Sequence, residues 1–391
     1  MEYESVQQTA ERLRVTVRTV QKWAKEGKLP GAKQLGRAWL IPAGINAPKV
    51  QDISPVTPTD APHMFLPLMR GSFSLGHAME YIQGIHDPDE RTLAMAEHSY
   101  FTGHPRVAAE TASLYLDHED PSLALSAGII YSFSYMYLGY NHISEHALKK
   151  LNTLIDTTLS NPARPELYHY AVLAAKASSL ALHTLDAELP LLKDVLHFLP
   201  GGLRLYGAYL VAFAVFQKKD YSRALGMIEM ALAYPINVYP VASIHLMVLR
   251  VICQMHLKQP KEARKTLEIV WGAAMKDGFI QPFAKHHNML LGLLENALKK
   301  ENSEAYQAVM ALTTAHNTNM PRMHNVRTGR DVAFNLTNTE LSIATLFRHG
   351  WAIKEIAGHM DLSERMIKHH LSIVYEKLNI SSREELGQYM L

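Results

Sequence analysis

Three groups of residues in this sequence have types and spacings that could do chemistry. His142-x-x-Glu145-His146 has a zinc-hydrolase spacing, in which two imidazoles hold a metal and a carboxylate acts as a base. It falls at a turn between two expected helices, with no third ligand identifiable, so a surface turn accounts for it. Arg18, Thr19, Gln21, Lys22 and Lys25 form a second group, in which cations alternate with hydroxyl and amide groups. That mixture suits phosphate oxygens and base edges. Thr16 sits before it as a helix cap, and Lys33 and Arg37 lie where a following hairpin could reach the DNA backbone. Arg365, Lys368, His369 and Ser372 form a third group, on the polar face of an amphipathic segment. No Gly-x-x-x-x-Gly-Lys-Ser/Thr loop and no Gly-x-Ser-x-Gly elbow is present, so no enzyme, cofactor or metal is expected.

The elements that must position these groups follow from composition and periodicity. The chain has 391 residues, a formal charge of +2, 48% hydrophobic residues and a single cysteine, Cys253. This composition excludes wholesale disorder and a uniformly basic nucleic-acid coat. The lone cysteine fits a reducing compartment. Met1-Glu2-Tyr3-Glu4 is acidic with no apolar core behind it, and the apolar run 205–216 is too short to span a bilayer. A cytoplasmic protein with no membrane association is expected.

Prolines 48, 55, 58, 62 and 67 mark a linker, and a second break follows Asn317. The expected organisation is a winged head over 1–43, a Pro-rich linker over 44–75, a helical-repeat domain over 76–320, a linker over 321–334 and a helical tail over 335–391. Charge divides unevenly. Residues 1–50 carry nine Lys/Arg against four Asp/Glu (+5), residues 51–321 carry 21 against 25 (−4), and residues 322–391 carry nine against eight (+1).

In the head, Val6, Ala10 and Leu13 share one helical face and Val17, Val20 and Trp23 another. Residues 33–42 alternate around Gly36 as a hairpin wing. In the middle, Ala108, Ala147, Ala187, Ala224, Ala263 and Ala305 recur at intervals of 37 to 42 residues. An apolar residue stands four positions after each and another twelve before. A small residue lets the second helix of a hairpin approach the first, and the larger one fills the seam a turn later. Such hairpins bury their faces only by stacking, which predicts a mainly α protein containing an α-solenoid of about six hairpins. In the tail, Thr337 and Glu340 form a capping box. Helices follow over 353–360, 364–377 and 383–391, the third tail helix burying Ile367, Leu371, Val374 and Leu378.

These motifs carry resemblances. Ala10-x-x-Leu13-x-Val15, Thr19-Val20-x-x-Trp23, Gly27-x-Leu29-Pro30 and Gly36-Arg37-x-Trp39-x-Ile41-Pro42 resemble the excisionase-type winged helix-turn-helix, a relative of the MerR-like heads. The middle resembles tetratricopeptide repeats in a longer form. Its Gly278-Phe279-Ile280-Gln281-Pro282-Phe283 resembles the sensor solenoids of MalT-type LuxR-family regulators. The tail resembles the LuxR-type, GerE-like DNA-binding domain. The resemblance rests on Leu336-Thr337-x-x-Glu340, Gly350-x-x-x-Lys354-Glu355-Ile356-Ala357, Ser363-x-x-x-Ile367-Lys368-x-His370-Leu371 and Lys377-Leu378-x-x-x-Ser382-Arg383. It implies that Lys354 and Ser363 touch phosphates, that Lys368, His369 and Ser372 face the groove, and that the last helix makes a dimer contact. Ala352-Ile353 and Met366 depart from the pattern and remove backbone-binding donors.

The tetratricopeptide pattern, projected onto the solenoid, puts Glu97, Tyr100, Met136, Lys176, Tyr209, Phe213, Phe216 and His245 near the concave face. There they could hold a small-molecule effector or a protein partner; for each aromatic, a core position is the alternative. The leading expectation is a homodimeric transcriptional regulator that binds double-stranded DNA and senses through its helical middle. The alternative is a non-enzymatic scaffold whose terminal modules serve assembly. A zinc hydrolase at 142–146 is the third.

Overall fold

The computed structural model describes residues 3–13, 17–25, 29–35, 38–44, 63–181, 192–233, 238–298, 303–328 and 335–389. They form two compact units, Met1–Pro62 and His63–Leu391.

In the first unit, α1 (Val6–Leu13) and α2 (Val17–Lys25) precede a three-stranded antiparallel sheet. Strands β2 (Lys33–Leu35) and β3 (Ala38–Pro42) pair as the expected wing. Strand β1 (Tyr3–Ser5) pairs with the other edge of β3, giving the order β1-β3-β2. Three residues are too few to show alternation, so β1 has no signature in the sequence. Ala10, Val20, Ala24, Leu29 and Ile41 form a small separate core. Val17, expected on the apolar face, is exposed because the first turn of α2 lies beyond the edge of so small a core.

The second unit is a row of helical hairpins followed by a four-helix domain. After α3 (Ala78–Gln83) come α4 (Pro88–Phe101) with α5 (Pro105–Ser113), and α6 (Pro121–Leu138) with α7 (Asn141–Ser160). Next are α8 (Pro165–Ala181) and the short α9 (Leu192–Val195). The row continues with α10 (Gly201–Gln217) and α11 (Tyr221–Ala231), then α12 (Pro240–His256) and α13 (Pro260–Ala274). It ends with α14 (Gln281–His286), α15 (Leu293–Leu298) and the long α16 (Glu304–Thr328). Proline opens many of these helices, at the one position where its missing N–H costs nothing. Asp87 and Asp120 add side-chain caps to α4 and α6.

The alanine repeat does what its spacing requires. Ala108, Ala147, Ala224 and Ala263 are buried on α5, α7, α11 and α13. Ala112, Leu151, Ile228 and Leu267 are buried one turn later. Ala305 is partly buried at the start of α16, and Ala187 lies outside the described residues.

The row closes on itself, which the repeat pattern did not show. Gln281 on α14 donates to the hydroxyls of Tyr100 on α4 (2.7 Å) and Tyr137 on α6 (2.9 Å). Asp277 accepts the backbone N–H groups of Gly76 (2.7 Å) and Ala78 (2.9 Å). Asn319 on α16 donates to the Tyr137 carbonyl. The last hairpin therefore seals against the first two, and the inner face is a lumen rather than an open groove.

Part of the expected linker fills that lumen. Residues 63–75 are not a spacer: Phe65, Leu66, Leu68, Met69 and Phe73 are buried in the solenoid core. The backbone N–H of Leu66 donates to Ser126, and those of Leu68 and Met69 donate to the two carboxylate oxygens of Glu97 (2.6 and 3.0 Å). Phe65 stacks on Tyr170. Gly202 on α10 admits this strap, since a Cβ there would run into the backbone of Met69 and Arg70. An extended, proline-marked sequence looks like a linker until its N–H groups find buried acceptors.

The expected second linker, 321–334, is also partly structured, because α16 runs on to Thr328. Earlier on α16, before that segment, a polar residue ties the helix to its neighbours. Asn317 bonds Asn288 and Asn338 of the next helix.

The tail comprises α17 (Asn338–Arg348), α18 (Ile353–Met360), α19 (Glu364–Leu378) and the short α20 (Leu386–Tyr389). Thr337 and Glu340 form the expected capping box. Ile367, Leu371, Val374 and Leu378 are the buried face of α19. Among the described residues no helix is long and apolar enough to cross a membrane.

Candidate nucleic-acid interface and sensor interior

Helix α19 begins at Ser363, whose Oγ accepts the Met366 N–H. Its buried face packs on α17 and α18. That leaves Arg365, Met366, Lys368, His369 and Ser372 exposed on the opposite side, and Lys354 exposed on the first turn of α18. The Ser372 hydroxyl donates to the Lys368 carbonyl. The frame behind this surface is tied electrostatically. Glu340 accepts from Lys377 Nζ (2.7 and 3.0 Å) and from the Thr337 N–H. Burial pushes the Glu340 carboxyl up, but these bonds outweigh burial and hold it below its ordinary value.

The tail docks on the solenoid through α17 and α18, away from the exposed face of α19. His349 at the end of α17 meets His256 at the end of α12, with ring centroids 4.5 Å apart and nearly perpendicular. Lys258 Nζ donates to the Gly350 carbonyl (3.1 Å). A ring nitrogen of His359 lies 2.7 Å from the Leu291 carbonyl, and Asn296 donates to the His359 carbonyl. Trp351 is buried against the same seam.

In the head, Gln21 and Lys25 are exposed on α2, and exposed Lys33 on β2 lies over the Tyr3 ring. Arg18, Thr19 and Lys22 belong to α2, with side chains outside the described residues. Thr16 and Arg37 also lie outside them.

The eight residues proposed for the concave face separate into two groups. Glu97, Tyr100 and His245 line one lumenal cavity of about 30 Å³, with Leu66 and Met69 of the strap as part of its wall. Tyr209, Phe213 and Phe216 instead stack along α10 as core, and Tyr209 bonds His286. Met136 is buried, and Lys176 is half-buried, with its pKa lowered by burial.

The cavity also holds Phe101, Tyr206, Gln281 and Lys285, which sequence reasoning missed. Gln281 and Lys285 are four apart on α14, a spacing that puts both on one face. Nothing in the sequence says that this face meets Tyr100, 181 residues away. Burial raises the Glu97 carboxyl to about 8 against the pull of its two N–H donors. Burial lowers His245 to about 4 and Lys285 to about 8. Gln281 Oε1 is buried, with no hydrogen-bond partner among the described residues. These groups converge on a cavity with room for about one water molecule.

His142, Glu145 and His146 are exposed on the first turns of α7. Among the described residues the group that brings three metal-binding side chains together is His63, Asp87 and Glu90, at the start of the strap.

A solenoid bearing a helix-turn-helix domain with its recognition face free defines a class of proteins that act on DNA. Residues 5–44 match the family model described as a helix-turn-helix domain, and residues 335–390 match that of the bacterial regulatory proteins, luxR family. No curated protein and no solved structure matches the chain. The two domains support a DNA-binding transcriptional regulator, and the helical middle is compatible with a MalT-like sensor domain.

Proposed function

We propose that this chain regulates transcription by binding duplex DNA through α19, while the solenoid lumen senses a ligand or partner and passes its state to the tail through the seam. The orientation of α19 carries the proposal: Arg365, Lys368, His369 and Ser372 stay exposed while α17 and α18 dock. In helix-turn-helix proteins the second helix of the motif enters the major groove and the first crosses the backbone. Here those are α19 and α18. Two copies pairing through the last helix would raise affinity by presenting two such helices at once. A ligand favouring one packing of the lumen shifts the seam only by its differential affinity for the two states.

Fluorescence anisotropy of the full chain on DNA from upstream of its own gene tests this. Salt-dependent binding that Arg365→Ala/Lys368→Ala abolishes supports the proposal. Negligible binding to every duplex at low salt overturns it. Sedimentation of the free and DNA-bound chain tests the dimer.

A further inference from the structure

The seam between solenoid and tail leaves an open cleft of about 410 Å³. One wall carries Lys258, in the turn before α13, and Lys261 and Arg264, in the first turns of α13. The other carries Trp351, Glu355 and His359, from α18 and the residues before it. Three cations within seven residues are unexpected in a segment whose charge is −4. The opposing Glu355 is a single carboxylate against three cations, and its Oε2 is fixed at the start of α18 by the Ala352 N–H at 2.7 Å. Arg264 is held by Glu268 (3.1 Å), with both side chains half-exposed. No ion pair or hydrogen bond is formed by Lys261 among the described residues. Lys258 reaches the Gly350 carbonyl, three residues before α18, and so ties this cationic edge to the entrance of the helix proposed to cross the DNA backbone.

We infer that the solenoid edge formed by Lys258, Lys261 and Arg264 is a second phosphate-binding surface, onto which the DNA backbone runs from α18. The inference rests on the DNA-binding function proposed above. The occupant follows from charge and shape. The cations are exposed, long and arranged along a rim, as suits a continuous polyanion. The solenoid is acidic as a whole, so this edge is where it can approach DNA without repulsion. The sensor would then touch DNA directly. A change in the seam would alter affinity by moving Lys261 and Arg264 relative to α18, with no change in the recognition helix.

The test uses the full chain and its Lys261→Ala/Arg264→Ala variant. Binding is measured from low to moderate salt on DNA from upstream of the gene and on a duplex of random sequence. Each phosphate contact contributes about −0.9 to the slope of log affinity against log salt. The variant should therefore lose about 1.8 from the slope and bind both duplexes roughly ten- to thirty-fold more weakly near physiological salt. Glu268→Gln, which frees Arg264, should bind more tightly than the parent. Both replaced side chains are exposed, and an unchanged thermal midpoint confirms that the variant folds. An unchanged slope and affinity in a variant-parent pair that both require Lys368 overturns the inference and leaves the DNA-binding proposal standing. If the parent binds no duplex, the proposal itself fails. Should inorganic phosphate raise the parent's thermal midpoint, but not the variant's, while the DNA slope is unchanged, the cleft takes free phosphate and the DNA surface is overturned.

Discussion

The imidazole of His349, on the DNA-binding domain, stands edge-on to that of His256, on the solenoid, with centroids 4.5 Å apart. Phe216 and Tyr221 pack around the same His256 ring, each centroid 4.9 Å away, and among the described residues neither nitrogen of His256 has a hydrogen-bond partner. The seam between the solenoid and the tail is thus built on two imidazoles whose burial favours the neutral form.

That arrangement predicts acid-sensitive docking. Burial lowers His256 to about 3, helped by His349 and Arg348 nearby. Burial lowers His349 to about 4, helped by Arg348 and Lys219. Both groups are therefore more easily protonated when unfolded, where the ordinary value is 6.5. Their contribution is fully present above 6.5 and is lost as pH falls toward 4 and then 3. Amide exchange across α17 and α18 should accelerate over that range. His256→Phe should flatten the dependence; an identical pH profile in that variant would show that the imidazoles do not control docking.

Glu97 should act in the opposite sense. Its folded value, about 8, lies above the ordinary 4.5. Its contribution is present below 4.5 and declines as pH rises through 8. Glu97→Gln should remove this decline in urea-melt stability between those limits. Glu97→Ala strands the N–H groups of Leu68 and Met69 and should cost about 2–4 kcal/mol.

Gly292 is placed where no side chain fits. Its φ is +75°, and a Cβ there would run into Met360 Sδ of α18. Gly292→Ala should destabilise the second unit by about 1–3 kcal/mol. Met360→Ala in the same chain should recover the steric part and leave the backbone part. Equal melting of Gly292→Ala and the parent would contradict the packing described for this seam.

On the exposed face of α19, the proposed entry of this helix into the major groove predicts that Lys368→Ala weakens operator binding by about 1–3 kcal/mol, read by anisotropy at fixed salt. Thr337→Ala removes the cap of α17 and should lower the melting stability of the tail by about 1 kcal/mol.

Much of this was legible in the sequence because it rests on local rules. The Thr337–Glu340 box, the apolar face Ile367–Leu371–Val374–Leu378 and the alanine repeat each report a helix through spacing alone. The opening of α18 at Ile353 and the wing of the head follow in the same way. The basic and polar face of α19 is equally local, since whatever the domain does, one side of that helix is apolar and the other is not.

Other features arise from contacts that periodicity cannot encode. Repeat spacing stacks one hairpin on the next, but the closing of the row depends on Gln281 reaching Tyr100 and Tyr137. The strap over residues 63–75 has the sequence character of a linker, with prolines before and within it. Only the facing carboxylate of Glu97 gives its N–H groups a buried partner. Likewise, Lys261 and Arg264 are ordinary solvated cations on α13 until α18 is laid beside them. By itself, the sequence determined the helices and which face of each is apolar, because those depend on neighbours three or four residues away. Tertiary structure alone decided which faces meet across 100 to 200 residues, and so where the lumen, the seam and the cationic edge lie.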